Sequence, residues 1–172
     1  MNIKKILITE DEIRDKLSEM GAAITADYRD RDLVMVGILK GAFIVMADLA
    51  RHVDLPVEFD FMAVSSYGSA TKTSGVVRIL KDLDQEIEGR DILIVEDIID
   101  SGLTLHYLLK NLEVRQPASV EIAALLVKDG IDRPPIDIKY EGFHIPPEFF
   151  IGYGLDYAGK YRNLPYVAVM EE

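Results

Sequence analysis

The stretch ILIVEDIIDSGLTL, residues 92–105, runs four apolar residues into Glu96 and Asp97, adds a third carboxylate at Asp100, and then turns to Ser101, Gly102 and Thr104. A continuous Ile/Leu/Val run marks a strand covered on both faces, the kind found in parallel sheets. The Ser/Gly/Thr turn opens onto LTLHYLLKNLE, residues 103–113, which reads as a helix. A strand that passes its chain through such a loop into a helix makes an anion site. The N–H groups at the helix start have no intrahelical partner, and the helix dipole favours negative charge there. Crowded carboxylates repel one another, so Glu96, Asp97 and Asp100 call for compensation close by.

The same alternation of elements extends outward in both directions. LVMVGIL (Leu33–Leu39) reads as a buried strand, residues 42–53 as a helix, 57–67 and 76–83 as strands, 91–97 as the core strand of the opening stretch, and 120–128 as a further core strand. Thr9 with Glu12 has capping-box form, and Ile13, Leu17, Met20 and Ile24 follow at helical spacing. The fold class expected is α/β, a mostly parallel, twisted sheet with helices on both faces. Pro134-Pro135, Pro146-Pro147 and the final YVAVM suggest short strands and loops. Parts of the N-terminal segment and residues 132–165 are expected to form a small lid over one sheet end, all within a single domain spanning 1–172. The polar, glycine-bounded segment 68–75 reads as a mobile loop. Ligands of open α/β sheets bind at the carboxyl ends of the strands, so the loops after Leu39, Val95 and Val127 should share one crevice.

The composition limits the function. The 172 residues are 49% hydrophobic and 28% charged, enough for a sizeable core. Cysteine is absent, which removes disulfides and thiolate nucleophiles and suits a reducing cytoplasm. The start lacks the apolar run of a secretory signal. Residues 33–50 are too interrupted by Lys40, Asp48, Gly37 and Gly41 for a membrane span. A net charge of -11 argues against nonspecific binding to nucleic acid or an anionic membrane, so neither is expected as a partner. A small anionic ligand held by local groups remains compatible.

Ser101, Gly102 and Thr104 suit a monophosphate, although neither a GxxxxGK[ST] loop nor a GxGxxG turn occurs. Glu96 and Asp97 would lie beside that phosphate, where they could accept hydrogen bonds from sugar hydroxyls or face a divalent cation; such oxygen ligands suit Mg2+. Asp100 is placed to accept a proton. Each carboxylate alone reads equally well as a solvated or helix-capping residue, and it is their combination with Ser-Gly-x-Thr that points to a site.

VEDIIDSG, residues 95–102, closely resembles the phosphoribosyl pyrophosphate signature of the type I phosphoribosyltransferases, with Ser101 where many relatives carry Thr. LKG at 39–41, SYG at 66–68, KDLD at 81–84, LVK at 126–128, GYGLDY at 152–157 and Arg162 extend the resemblance, in order, to the hypoxanthine-guanine phosphoribosyltransferases. The resemblance implies transfer of a 5-phosphoribosyl group from phosphoribosyl pyrophosphate to hypoxanthine or guanine, giving IMP or GMP and pyrophosphate. It implies that the run Glu96, Asp97, Ile98, Ile99, Asp100, Ser101, Gly102, Leu103 and Thr104 binds substrate, with residues 100–104 on the 5'-phosphate and Asp100 the general base at purine N7. Lys40, Gly41 and Arg162 fall to pyrophosphate, and Glu96, Asp97 and Asp156 to the Mg2+-bound substrate. Lys128 would read the purine O6; lysine only donates, which favours a 6-oxo over a 6-amino group. Phe149 would stack on the base, and Phe150 would bind through its backbone. Ser66, Tyr67 and the 68–75 loop would close as a lid, a cis peptide would precede Lys40, and the assembly would be a cytoplasmic homodimer or homotetramer. His52, His106 and His144 lack triad or metal spacing and read as structural.

Three other readings compete. Lys128 disfavours an adenine phosphoribosyltransferase but leaves xanthine open. A nucleotide-sensing, RNA-binding regulator with this fold would want a basic face, which the net charge opposes. A receiver-like signalling domain would want its acidic pair near the N-terminus and would have no need of an anion loop.

Overall fold

A computed structural model describes residues 3–66 and 77–171 of the chain. The first strand, β1 (Ile3–Ile8), leads directly into α1 (Glu10–Asp27). Thr9 caps that helix: its hydroxyl accepts the Glu12 N–H at 3.2 Å, while the Glu12 carboxylate accepts the Thr9 N–H at 2.8 Å. Ile13, Leu17, Met20 and Ile24 then fall on one buried stripe, as their spacing predicts. The chain continues through β2 (Leu33–Leu39), α2 (Phe43–Ala50), β3 (Glu58–Ser66), β4 (Val77–Lys81), β5 (Asp91–Ile99), α3 (Leu103–Glu113), β6 (Ser119–Lys128), β7 (Tyr140–Ile145), β8 (Phe150–Ile151) and β9 (Val167–Met170).

Six of these strands form one sheet in the order β4-β3-β2-β5-β6-β7, parallel throughout except between β3 and β4. Successive side chains of a strand point to opposite faces, and the core divides accordingly. Leu33 and Met35 of β2 and Leu93 and Val95 of β5 pack with Ile13, Leu17, Val45 and Leu49 from α1 and α2. Val34, Val36, Ile92 and Ile94 pack with Leu105, Leu108 and Leu112 from α3 on the other face. The expected mostly parallel α/β sheet with helices on both faces is therefore present. β1, β9 and β8 form a separate three-stranded antiparallel sheet, and this sheet with residues 146–166 makes up the hood.

The strand order also locates the crevice. The chain leaves β2 through α2 toward β3 and leaves β5 through α3 toward β6, in opposite directions across the sheet. A topological switch of this kind opens a gap at the carboxyl ends of the two strands. The β2–β5 register stops at Gly37 against Val95, whereas β5–β6 pairing continues to Ile99 against Val127. Glu96 and Asp97 thus extend past the end of the β2 pairing.

Several boundaries differ from the sequence reading. α2 ends at Ala50 rather than running to Val53, because His52 and Val53 donate to Leu49 and Ala50, tightening the chain into a turn ahead of Pro56. β5 runs two residues beyond Asp97, since β6 continues to pair with it. Residues 140–145, assigned above to the hood, instead form the parallel edge strand of the main sheet beside β6. Gly142 permits this approach, as a Cβ there would overlap the backbone of Leu125. No helix among the described residues is long and apolar enough to cross a membrane.

Candidate active site

A cavity of about 360 Å³ opens at the switch point. It is lined by Ile38 and Leu39 at the end of β2 and Gly41 after it, by Glu96, Asp97, Ile98 and Asp100 from β5 and its loop, by Lys128 at the end of β6, and by Phe149, Phe150, Leu155, Asp156 and Arg162 from the hood. The loops after three central strands do share one crevice, as expected. A smaller cavity of about 150 Å³ adjoins it through Glu96, Ile98 and Asp100 and is lined further by Ile99, Ser101, Gly102 and Thr104.

That smaller cavity has the form of an anion cradle. Gly102 is the N-cap of α3, with φ 71°, and no side chain caps the helix. The positive φ suits glycine, and a Cβ there would also strike Ile136. The outward-pointing N–H groups of the first turn are left for a ligand. Ser101 and Thr104 add hydroxyls at its rim. Leu103 opens the helix but is 40% exposed, which leaves its backbone as the part suited to a ligand.

Where the two cavities adjoin, Lys128 Nζ donates to Asp100 Oδ2 at 2.9 Å. Lys128 is largely covered, whereas Asp100 is exposed. The sequence reading gave these residues separate roles without anticipating that they touch. Phe149 projects from the hood, 53% exposed, and meets Tyr157 edge-on with ring centroids 5.9 Å apart. Phe150, in contrast, is buried in the core.

Charge accumulates on the remaining wall. Burial, reinforced by the Asp97 charge alongside, pushes Glu96 well above the usual carboxylate range. Burial likewise pushes Asp97 up to about 6, opposed by the Ile98 N–H that donates to it at 2.8 Å and by the Arg162 charge. Arg162 pairs with Asp156 at 2.9 Å and donates to the Gly154 carbonyl at 2.6 Å, while the second Asp156 oxygen accepts the Gly159 N–H at 2.7 Å. The wall is tightly stacked: a Cβ on Gly154 would overlap the Gly41 carbonyl, and one on Gly41 would overlap the Asp97 carboxylate. The Leu39–Lys40 peptide is cis. Lys40 itself is exposed, while its neighbours Leu39 and Gly41 line the cavity.

The donor set suits Mg2+ only in part. Glu96 and Asp97 are hard oxygen donors whose proton affinity is raised mainly by burial, and a cation beside them would favour their charged forms. Asp156 already has both oxygens engaged. Among the described residues, no three His, Asp or Glu side chains gather closely enough to hold a metal alone. An ion here would draw most of its ligands from substrate and water.

The structure thus brings together Gly41, Glu96, Asp97, Ile98, Asp100, Lys128, Phe149, Phe150, Asp156 and Arg162. Ser66 ends β3, while Tyr67 and the 68–75 loop lie outside the described residues. Several contributors were missed, among them the apolar linings Ile38 and Leu39 of the larger cavity and Leu105 of the smaller. Leu155 lines the cavity and could have been read from GYGLDY. Arg133, which donates to the Lys128 carbonyl, carried no sequence signal beyond an arginine ahead of two prolines.

The match to known proteins follows this geometry. The phosphoribosyl transferase domain model matches residues 2–158. The hypoxanthine-guanine phosphoribosyltransferase of Mycobacterium avium is 51% identical, covering 99% of this chain and 87% of that protein. That of Bacillus subtilis is also 51% identical, covering 99% and 94%. The hypoxanthine phosphoribosyltransferase of Staphylococcus aureus superposes with a TM-score of 0.95 at 45% identity, over 98% of this chain and 92% of that one. With its anion cradle, switch-point crevice and near-complete overlap with these proteins, the chain belongs to the phosphoribosyl transferase domain family and, within it, to the hypoxanthine-guanine phosphoribosyltransferases.

Proposed function

We propose that the protein transfers the 5-phosphoribosyl group of phosphoribosyl pyrophosphate to hypoxanthine or guanine, releasing pyrophosphate and forming IMP or GMP for purine salvage. The observation that carries this reading is the 2.9 Å contact between Lys128 and Asp100. O6 and N7 are neighbours on one edge of a 6-oxopurine. A donor-only ammonium beside a carboxylate matches that edge: Lys128 donates to O6 while Asp100 accepts the N7 proton as N9 bonds to the ribose. An ammonium has three donors, so Lys128 can serve O6 and Asp100 together.

The other roles are carried over from the family resemblance, and the cavity lining supports most of them. Backbone N–H groups at 102–104, with Ser101 and Thr104, hold the 5'-phosphate, and Glu96 and Asp97 take the ribose hydroxyls. Gly41, Lys40 and Arg162 face pyrophosphate, with Phe149 stacked on the base and the backbone of Phe150 against it. Glu96 and Asp97, with Asp156 if it were released from Arg162, would hold Mg2+ together with substrate oxygens, and the ion when bound would offset the pyrophosphate charge. Cytoplasmic residence is supported by the lack of cysteine. Assembly as a homodimer or homotetramer is supported by Phe59 on β3 and Leu80 on the adjoining edge strand β4, which are 47% and 61% exposed.

The test mixes the protein with phosphoribosyl pyrophosphate, Mg2+ and, separately, hypoxanthine, guanine, xanthine or adenine, and separates the nucleotides formed. Monophosphates from hypoxanthine and guanine but not adenine are expected. If neither 6-oxopurine yields one, the reading fails.

A further inference from the structure

The connection between β6 and β7 carries a residue that the site description leaves unexplained. Arg133 sits in residues 129–139, a stretch without regular secondary structure, and its Nη2 donates to the backbone carbonyl of Lys128, the last residue of β6. The other end of the same side chain lies over the phosphate cradle. A Cβ built on Gly102 would stand 3.8 Å from both Cβ and Cδ of Arg133, and would overlap Ile136 from the same connection. One side chain therefore spans from the N-cap of α3 to the residue that reads the purine.

Two features argue that this placement is more than filler. The guanidinium Nε is buried with no hydrogen-bond partner among the described residues. A desolvated donor without a partner costs stability, so packing alone would be served better by an apolar chain of similar length. Arg133 also precedes Pro134, whose ring restricts the preceding residue to extended backbone. The base of the side chain is thereby held in one direction.

We propose that Arg133 is a positioning residue for purine recognition. Its alkyl stem lies beside Gly102 and its guanidinium anchors the Lys128 backbone, so one side chain ties the start of α3 to the O6 reader. Arg133 acts only through Lys128 and touches neither substrate. The inference rests on the reading of Lys128 as the O6 donor.

Arg133→Met keeps an unbranched apolar stem against Gly102 and removes the bond to the Lys128 carbonyl. The variant is expected to raise the hypoxanthine KM roughly tenfold, the loss of one charged hydrogen bond. The KM for phosphoribosyl pyrophosphate should change less than about twofold, the stem being retained. Arg133→Lys, which keeps a donor on a shorter reach, should fall between the two and serves where the methionine variant folds poorly by thermal melt. In a Lys128→Ala background, Arg133→Met should add nothing to the hypoxanthine KM. Equal rises in both KM values, or a full additional loss in the Lys128→Ala background, would overturn the assignment in favour of general structural support. Should Lys128→Ala raise the hypoxanthine KM while Arg133→Met and Arg133→Lys do not, Arg133 alone loses its role. Should Lys128→Ala leave it unchanged, the reading of Lys128 fails and this inference fails with it.

Discussion

The two ends of the cavity are assembled differently. The phosphate end draws its lining from one continuous run, residues 96–105, where β5 passes through Gly102 into α3. The purine end brings together Asp100 with Lys128 and Phe149, from the end of β6 and from the hood, and Arg133 supports it from the connection between them. A cradle made of backbone N–H groups tolerates changes of side chain, because its donors belong to every residue type. An end made of converging side chains has no such reserve, and each of its members should be individually costly to replace.

Substitutions can test that contrast. Asp100→Asn should have the largest effect. Loss of the proton acceptor should lower kcat by roughly 10²–10⁴-fold with little change in the KM for phosphoribosyl pyrophosphate. Steady-state kinetics check this, and unchanged turnover would remove Asp100 from the role of base. Lys128→Ala should come next. It should cost roughly 10–100-fold in kcat/KM for hypoxanthine, the worth of a charged hydrogen bond lost in a covered site. Equal weakening of phosphoribosyl pyrophosphate binding would contradict a purine-specific role.

Gly41→Ala probes the wall between the two ends. The added methyl would overlap the Asp97 carboxylate. Overpacking of this kind typically costs about 1–3 kcal/mol, a fall of roughly 2–10 °C in Tm for a chain of this size. A melt matching that of the unmodified protein would mean that the wall gives way freely.

The smallest effect concerns His144, whose Nδ1 lies 2.8 Å from Asp129 and whose Nε2 lies 2.8 Å from Glu141. These two carboxylates raise its pKa above the usual 6.5. A raised pKa means the folded protein holds this proton more tightly than the unfolded chain does. The resulting stability is complete below about pH 6.5 and is lost as the pH rises through the folded value. His144→Gln should therefore lower Tm slightly at pH 6 and hardly at all at pH 9. The shift should be small because all three groups are substantially exposed. A larger loss at the higher pH would reverse the sign and exclude the ion pairs as its cause.

The contrast between the two ends also governs what could be read from sequence. β2 and α3 match their expected limits because continuous apolar runs and helical spacing are local signals. The turn from β5 through Gly102 into α3 was legible for the same reason, as strand, loop and helix start adjoin in the chain. β7 was misplaced because YEGFHI shows neither a β-branched run nor clean alternation, and only its pairing with β6 makes it a strand. The small sheet joins β1 to β9 from opposite ends of the chain, so nothing local marks the pairing. Phe149 and Lys128 were identified only through resemblance, and the Asp100–Lys128 contact and the Arg133 bond depend on distances that no spacing rule encodes.

The stacking of Gly154 on Gly41, and of Gly41 on Asp97, has a consequence for how the hood meets the sheet. With two side chains missing in series, the hood loop is seated directly on backbone and carboxylate, with no adjustable atoms between. The depth of the cavity at Asp97 is therefore a hard stop.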